Sequence, residues 1–186
     1  MKHSPTETEI KLAVDGVKAA RKLLRTAGFT VSRRRVFESN LVFDTPALTL
    51  RQASTLLRLR QAGRLITVTY KGKPIPGKHK SREELELSVP DASTMAAIFE
   101  RLGYSPVFQY DKYRTEYRLE RGAGMATLDE TPVGTYLELE GSPKWIDRMA
   151  RRLGFGEQDY ITASYARLYL DWCQKRGETP GNMVFE

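Results

Sequence analysis

The 186-residue chain predicts an α+β fold built on about eight strands. Three observations carry that prediction. Eight stretches alternate apolar and polar residues at every second position, the period of a pleated strand. Four longer stretches repeat apolar residues at three- and four-residue spacing, the period of a helix. Charged side chains concentrate on one parity of the strand-like stretches, so one face is charged and the other apolar.

The strand-like stretches are 6–14, 36–43, 55–61, 65–71, 82–89, 111–120, 125–130 and 135–140. The first helical pattern runs from Asp15, an N-cap residue type, to Ala27, and stops before Gly28. The second, Asp91 to Leu102, puts Met95, Ile98, Phe99 and Leu102 on one stripe and meets Gly103. The third opens with Ser142 as N-cap and Pro143 at the first helical position, and ends at Gly154. The fourth, Thr162 to Gln174, spaces Tyr165, Leu168, Tyr169 and Trp172 helically. Residues 1–176 read as one domain, and 177–186, with two glycines and a proline, as a frayed tail. The one long connection, Lys71 to Lys80, is basic and rich in Gly and Pro, and suits either a lid or a plain loop.

Composition bounds the function. Thirty Lys plus Arg against 23 Asp plus Glu give a net charge of +7, which favours anionic partners. The basic residues form no single run, which weakens a nucleic-acid reading. Cys173 is the single cysteine, so no intrachain disulfide can form, and it reads as a buried apolar residue. His3 and His79, the two histidines, read as surface residues and argue against structural zinc. No apolar run approaches the ~20 residues of a membrane span, and the N-terminus lacks a signal-peptide core, so a cytoplasmic protein is expected.

Sorting by parity yields the candidate site. Glu7, Glu9 and Lys11 share a face, as do Arg58 and Arg60. Thr67, Thr69 and Lys71 form another row, as do Arg82, Glu84 and Glu86. Lys112, Arg114, Glu116, Arg118 and Glu120 form a third, and Glu138 and Glu140 alternate with Leu137 and Leu139. Thr8, Glu83, Thr115 and Glu130 interrupt the otherwise apolar parity. Two architectures accommodate this: a half-buried sheet with its charged face in water, or a closed barrel with a charged lumen and helices outside. The charges also sort by sign. Glu7, Glu9, Asp129, Glu138 and Glu140 form an oxygen-only set suited to Mg²⁺ or Mn²⁺. Arg58, Arg60, Lys71, Arg82, Lys112 and Arg114 suit phosphate oxygens. On one inner surface these sets would hold a metal-bound polyphosphate, and phosphoryl transfer needs chiefly such positioning and charge neutralisation. Each piece alone is commonplace: an isolated charged row on a strand is more often a solvated face.

In their order the pieces resemble the CYTH superfamily, the triphosphate tunnel metalloenzymes. The resemblance rests on E-x-E-x-K at Glu7, Glu9 and Lys11, then Phe43-Asp44-Thr45-Pro46, then L-R-x-R at Leu57 to Arg60. It continues with Lys71, with R-x-E-x-E at Arg82, Glu84 and Glu86, and with K-x-R at Lys112 and Arg114. It closes with Leu128-Asp129, E-x-E at Glu138 and Glu140, and Ser164-Tyr165. It spans about residues 5–170 and implies a closed eight-stranded antiparallel barrel, the tunnel. It implies Mg²⁺ or Mn²⁺ on Glu7, Glu9, Glu138 and Glu140 with Asp129 nearby. It implies a triphosphate held by Lys11, Arg58, Arg60, Lys71, Arg82 and Arg114. Glu84 and Glu86 would be supporting lumen carboxylates. Two positions depart from relatives: Leu56 stands where thiamine triphosphatases of animal type carry Trp, and Ala163 where many members carry Lys.

The expected function is metal-dependent hydrolysis of a small triphosphate. Glu140 and Asp129 are candidates to orient the attacking water, and Lys11 joins them as a catalytic candidate. Inorganic triphosphate is the preferred substrate, because no ring-stacking pocket is legible. The alternatives are a class IV-like adenylyl cyclase and a non-catalytic polyphosphate-binding module.

Overall fold

The computed structural model describes residues 6–186. The predicted position of His3 lies outside them. Eight antiparallel strands close into a barrel: β1 (Thr6–Val14), β2 (Thr30–Asp44), β3 (Leu56–Ala62), β4 (Leu65–Lys71), β5 (Lys80–Val89), β6 (Ser105–Arg118), β7 (Met125–Thr131) and β8 (Gly134–Glu140). Around the ring their order is β1-β5-β4-β3-β2-β6-β7-β8, and β8 pairs back onto β1. Closure removes every free sheet edge. It also resolves the two architectures: the charged parity faces the lumen.

The apolar parity faces the helices α1 (Val17–Thr26), α3 (Ala92–Arg101) and α4 (Pro143–Arg152). Ile10 and Leu12 of β1, Leu128 of β7, and Leu137 and Leu139 of β8 are fully buried against Ala20, Leu24, Ile146, Met149 and Ala150 of α1 and α4. Each such large side chain stabilises the fold by ~1.5–3 kcal/mol relative to exposure. A second cluster sets Phe43 and Leu59 against Phe99 of α3. α5 (Tyr165–Arg176) differs, for its first residue, Tyr165, packs with Tyr110 and Tyr136. The outer face of β5 is less covered, and Leu85 and Leu87 are exposed there.

Four expectations are revised. β2 and β6 begin about six residues earlier than alternation suggests. Register shifts between Val31 and Arg33 and between Arg33 and Val36 break the period of two in that stretch of β2. α1 begins after Gly16 with no side-chain cap, so Asp15 does not cap it. The short α2 (Thr49–Gln52) is held by Asp44, which accepts from the backbone N–H groups of Thr45, Leu50 and Arg51 at 2.7–2.9 Å. Residues 177–186 depart from the frayed tail. Met183 is buried, and its backbone exchanges hydrogen bonds with Asp111 and Gln109 of β6. One apolar side chain thus docks a segment whose glycines and proline suggested fraying. Among the described residues, no helix is long and apolar enough to cross a membrane.

Candidate functional site

Strand register places the predicted residues on facing lumen positions. Glu7 lies opposite Arg82, Glu9 opposite both Lys80 and Glu140, and Lys11 opposite Glu138. Lys71 faces Glu84, Arg60 faces Asn40, and Lys112 faces Glu38. All of these but Asn40 line a cavity of about 1390 Å³.

The β5–β1–β8 wall is rich in carboxylates. Lys71 Nζ lies 2.6 Å from Glu7 and 2.8 Å from Glu84. Lys11 Nζ lies 3.2 Å from both Glu9 and Glu138, and Lys80 Nζ 3.2 Å from Glu9. Arg114 also pairs with Glu138. Burial works against charge on Glu9 and Glu138, but the cations beside them outweigh it and hold both well below the usual carboxylate range. Glu7 behaves oppositely. Burial, then a hydrogen bond with Glu84, pushes it up to about 8. Burial and the nearby Glu9 likewise raise Glu140, which has no cation within salt-bridge distance among the described residues.

The β3–β2–β6 wall carries the cations. Arg58 donates to Tyr110 at 3.2 Å and to Thr69 at 3.0 Å, and lies 3.8 Å from Glu84 and 4.0 Å from Glu86. Arg60 donates to Asn40 at 2.9 Å. Glu38 is buried between Arg60 at 3.5 Å and Lys112 at 3.6 Å. Burial opposes its charge, yet Lys112, Arg114, Arg60 and Arg58 together lower it to about 2. Burial opposes ionisation of Tyr110 as well, but Arg58, Arg60 and Lys112 lower it to about 7.

Asp129 stands apart from the other predicted carboxylates. It is fully buried and accepts from Lys112 Nζ at 2.7 Å, Arg114 Nε at 2.7 Å, Arg114 Nη2 at 2.5 Å and Tyr165 OH at 2.7 Å. It thus binds two cations and a phenol, three of the four contacts converging on Oδ2. The Tyr165 ring lies 5.2 Å from Lys11 Nζ and 5.1 Å from Lys112 Nζ, so the Ser-Tyr pair of the sequence ends in the lumen.

Two features of this lumen call for added ligands. Arg58 Nε and Arg82 Nε are buried without hydrogen-bond partners among the described residues. A buried guanidinium N–H without an acceptor is costly, and an anion would satisfy it. Most other lumen cations are already paired with lumen carboxylates, so a polyanion needs further positive charge to enter. Among the described residues no three acidic, His or Cys side chains form a finished metal cage. The donor chemistry nevertheless fits a hard divalent ion. Glu7 and Glu140 are oxygen donors that burial and neighbouring carboxylates push up, so a hard divalent ion beside them would favour their charged forms.

Sequence reasoning missed Glu38, Asn40, Lys80, Tyr110 and the tether of His79. The signal for Glu38 and Asn40 is their shared parity with Val42 in β2. His79 is buried, contrary to the surface placement expected, because its ring hydrogen-bonds Asp147 at 2.7 Å. With Lys78, 2.9 Å from the same Asp147, it ties the Lys71–Lys80 connection to α4. The lumen also turns apolar at one end. Val42, level with Arg58 and Phe108 in register, lines the cavity with Leu56, Val107 and Phe108. Phe108 stacks on Tyr110 with centroids 5.9 Å apart. This ring-bearing surface was not legible from alternation.

Comparison with known proteins agrees with this architecture. The chain is 32% identical over 137 residues to a candidate adenylate cyclase, MJ0240, of Methanocaldococcus jannaschii, covering 73% of this chain and 77% of that one. A crystal structure of a candidate adenylate cyclase from Vibrio parahaemolyticus superposes with a TM-score of 0.75 at 21% identity, covering 89% of this chain and 98% of that one. A structure of the adenylyl cyclase candidate HpAC1 from Hippeastrum, described as having a dominant triphosphatase activity, gives 0.65 at 20% identity over 94% and 97% of the two chains. The CYTH domain profile matches residues 5–165, and the chain belongs to the CYTH domain family.

Proposed function

We propose that this protein is a metal-dependent triphosphatase that binds its substrate inside the barrel. The observation that carries the reading is the division of one lumen: on one side the buried Nε–H groups of Arg58 and Arg82, without acceptors among the described residues, and on the other the carboxyl groups of Glu7 and Glu140, which burial and neighbouring carboxylates push up. Arg58, Arg60, Lys71, Arg82, Lys112 and Arg114 would hold phosphate oxygens in line. Lys11, fixed between Glu9 and Glu138, would sit where the two sets meet. Glu7, Glu9, Glu138 and Glu140 would hold Mg²⁺ or Mn²⁺, which supplies charge neutralisation on the phosphates and lowers the pKa of water. Glu140 is the better group to orient the attacking water, since among the described residues it has no cation partner, whereas Asp129 is fully buried and already accepts from Lys112, Arg114 and Tyr165. Asp129 instead positions Lys112 and Arg114. As the terminal phosphoryl group departs, fixed guanidinium groups stabilise the charge without reorganising.

Inorganic triphosphate remains the first substrate to test. A second reading, an organic triphosphate such as ATP, is favoured by one observation: the Val42, Leu56 and Phe108 surface extends the cavity beyond the cations. Product analysis with both compounds separates the readings. Phosphate release supports hydrolysis, cyclic AMP with pyrophosphate supports the cyclase, and triphosphate binding without turnover supports a binding module.

A further inference from the structure

Outside the barrel, a groove of about 610 Å³ runs between α1 and the β2–β6 ribbon. Its lining includes Lys18, Arg21, Lys22, Arg25, Arg34 and Arg35, all exposed. The four helix residues follow i, i+3, i+4, i+7, so α1 turns one continuous basic stripe toward the groove. Arg35 is neutralised: it makes a two-pronged pair with Glu130 at 2.8 and 3.0 Å and lies over the Tyr113 ring. Among the described residues, Lys18, Arg21, Lys22, Arg25 and Arg34 have no carboxylate within 4 Å. In the sequence these cations form no single run; folding gathers them on one surface that the triphosphate site does not use.

We propose that this groove binds a nucleic-acid strand through its phosphodiester backbone. Unpaired like charges held together on a folded surface call for a polyanion, and guanidinium groups match phosphate oxygens bidentately. The stripe from Lys18 to Arg25 spans about 10 Å at 1.5 Å per residue, room for about three phosphates of one strand. One isolated phosphate group cannot reach the whole array. The floor residues Phe29 and Tyr117 are buried, so no aromatic face is offered for base stacking. Binding is therefore through the backbone and indifferent to base sequence. A lipid surface fits less well, because the site is concave and Val31 is the exposed apolar side chain available for insertion.

The test is fluorescence anisotropy with a labelled 20-nucleotide RNA bearing a 5′-hydroxyl, so that no triphosphate end can enter the tunnel. Binding is expected at 50 mM KCl, and about a twentyfold loss of affinity at 200 mM KCl if three phosphates are neutralised. Arg21→Glu with Arg25→Glu should weaken binding about tenfold or more and leave triphosphate turnover unchanged. Arg101→Glu with Lys175→Glu, the same charge change placed on α3 and α5, should cost less than about threefold. Lys22→Gln with Arg34→Gln gives a milder second probe of the groove should the reversal disturb folding, and should also weaken binding. Equal loss in the α1 and the α3/α5 variants would make net charge the cause and overturn the proposal. So would competition by inorganic triphosphate with the groove variants unaffected, which places the RNA in the tunnel. Absence of RNA binding at 50 mM KCl, with or without capture by phosphatidylserine vesicles, overturns it too.

Discussion

Replacing Asp129 by asparagine separates positioning from catalysis. Asp129 is fully buried and compensates Lys112 and Arg114 while accepting from Tyr165. Asparagine keeps the shape, so no cavity forms, but it removes the charge. Stripping one partner from a buried ion pair costs about 3–5 kcal/mol. Here Arg114 retains Glu138 and Lys112 retains Glu38 at 3.6 Å, which places the expected loss near the low end, about 3 kcal/mol. With a urea m-value of about 2–3 kcal/mol per molar for a chain of this size, the midpoint should fall by ~1–1.5 M at unchanged slope. Urea titration followed by circular dichroism reads this directly. Turnover of triphosphate, measured where the variant is folded, should show a raised KM from misplaced Lys112 and Arg114 more than a lowered kcat. A midpoint within ~0.3 M of wild type, together with a kcat lowered by about 10²–10⁴ at unchanged KM, would refute the reasoning. It would mean that Asp129 handles the proton of the attacking water after all.

Further outcomes follow from other residues. The Glu38 carboxyl, lowered from 4.5 to about 2, contributes stability that is fully present above pH 4.5 and lost as pH falls toward 2. That contribution is at most about 3 kcal/mol, and acid titration of Glu38→Gln should show a shallower decline over the same window. Tyr110 should ionise near pH 7, giving an absorbance step at the tyrosinate band that Tyr110→Phe abolishes and Arg58→Ala moves upward. Gly124→Ala would place a Cβ 2.4 Å from the Trp145 ring, an overlap expected to cost about 1–3 kcal/mol in thermal or urea unfolding.

How far the sequence leads depends on the kind of signal. Period-two charge survives into the structure wherever strands are regular, and so Glu7, Glu9 and Lys11, Arg58 and Arg60, and Glu138 and Glu140 meet as their parity says. Pattern alone cannot say whether that face meets water or closes on itself, because both bury the same apolar residues. Ordered motifs favoured closure, and the β1–β8 pairing provides it. The partners of Asp129 were illegible because alternation marks it only as a carboxylate beside Leu128; it is the fold that brings Lys112, Arg114 and Tyr165 to it. The early start of β2 was hidden by its bulges, and the buried His79 by a partner, Asp147, distant in sequence. The apolar end of the lumen escaped because Val42, Leu56 and Phe108 look like ordinary core residues until register sets them beside Arg58.

The most direct measurement is phosphate release from inorganic triphosphate with Mg²⁺ and with Mn²⁺, before and after chelation, for wild type, Glu140→Gln, Glu138→Gln and Arg82→Ala. The account predicts metal-dependent release that chelation abolishes. It predicts a kcat lowered about a hundredfold or more in Glu140→Gln, and a loss carried mainly by KM in Arg82→Ala. Release that persists through chelation, or that Glu140→Gln and Glu138→Gln leave intact, would contradict it.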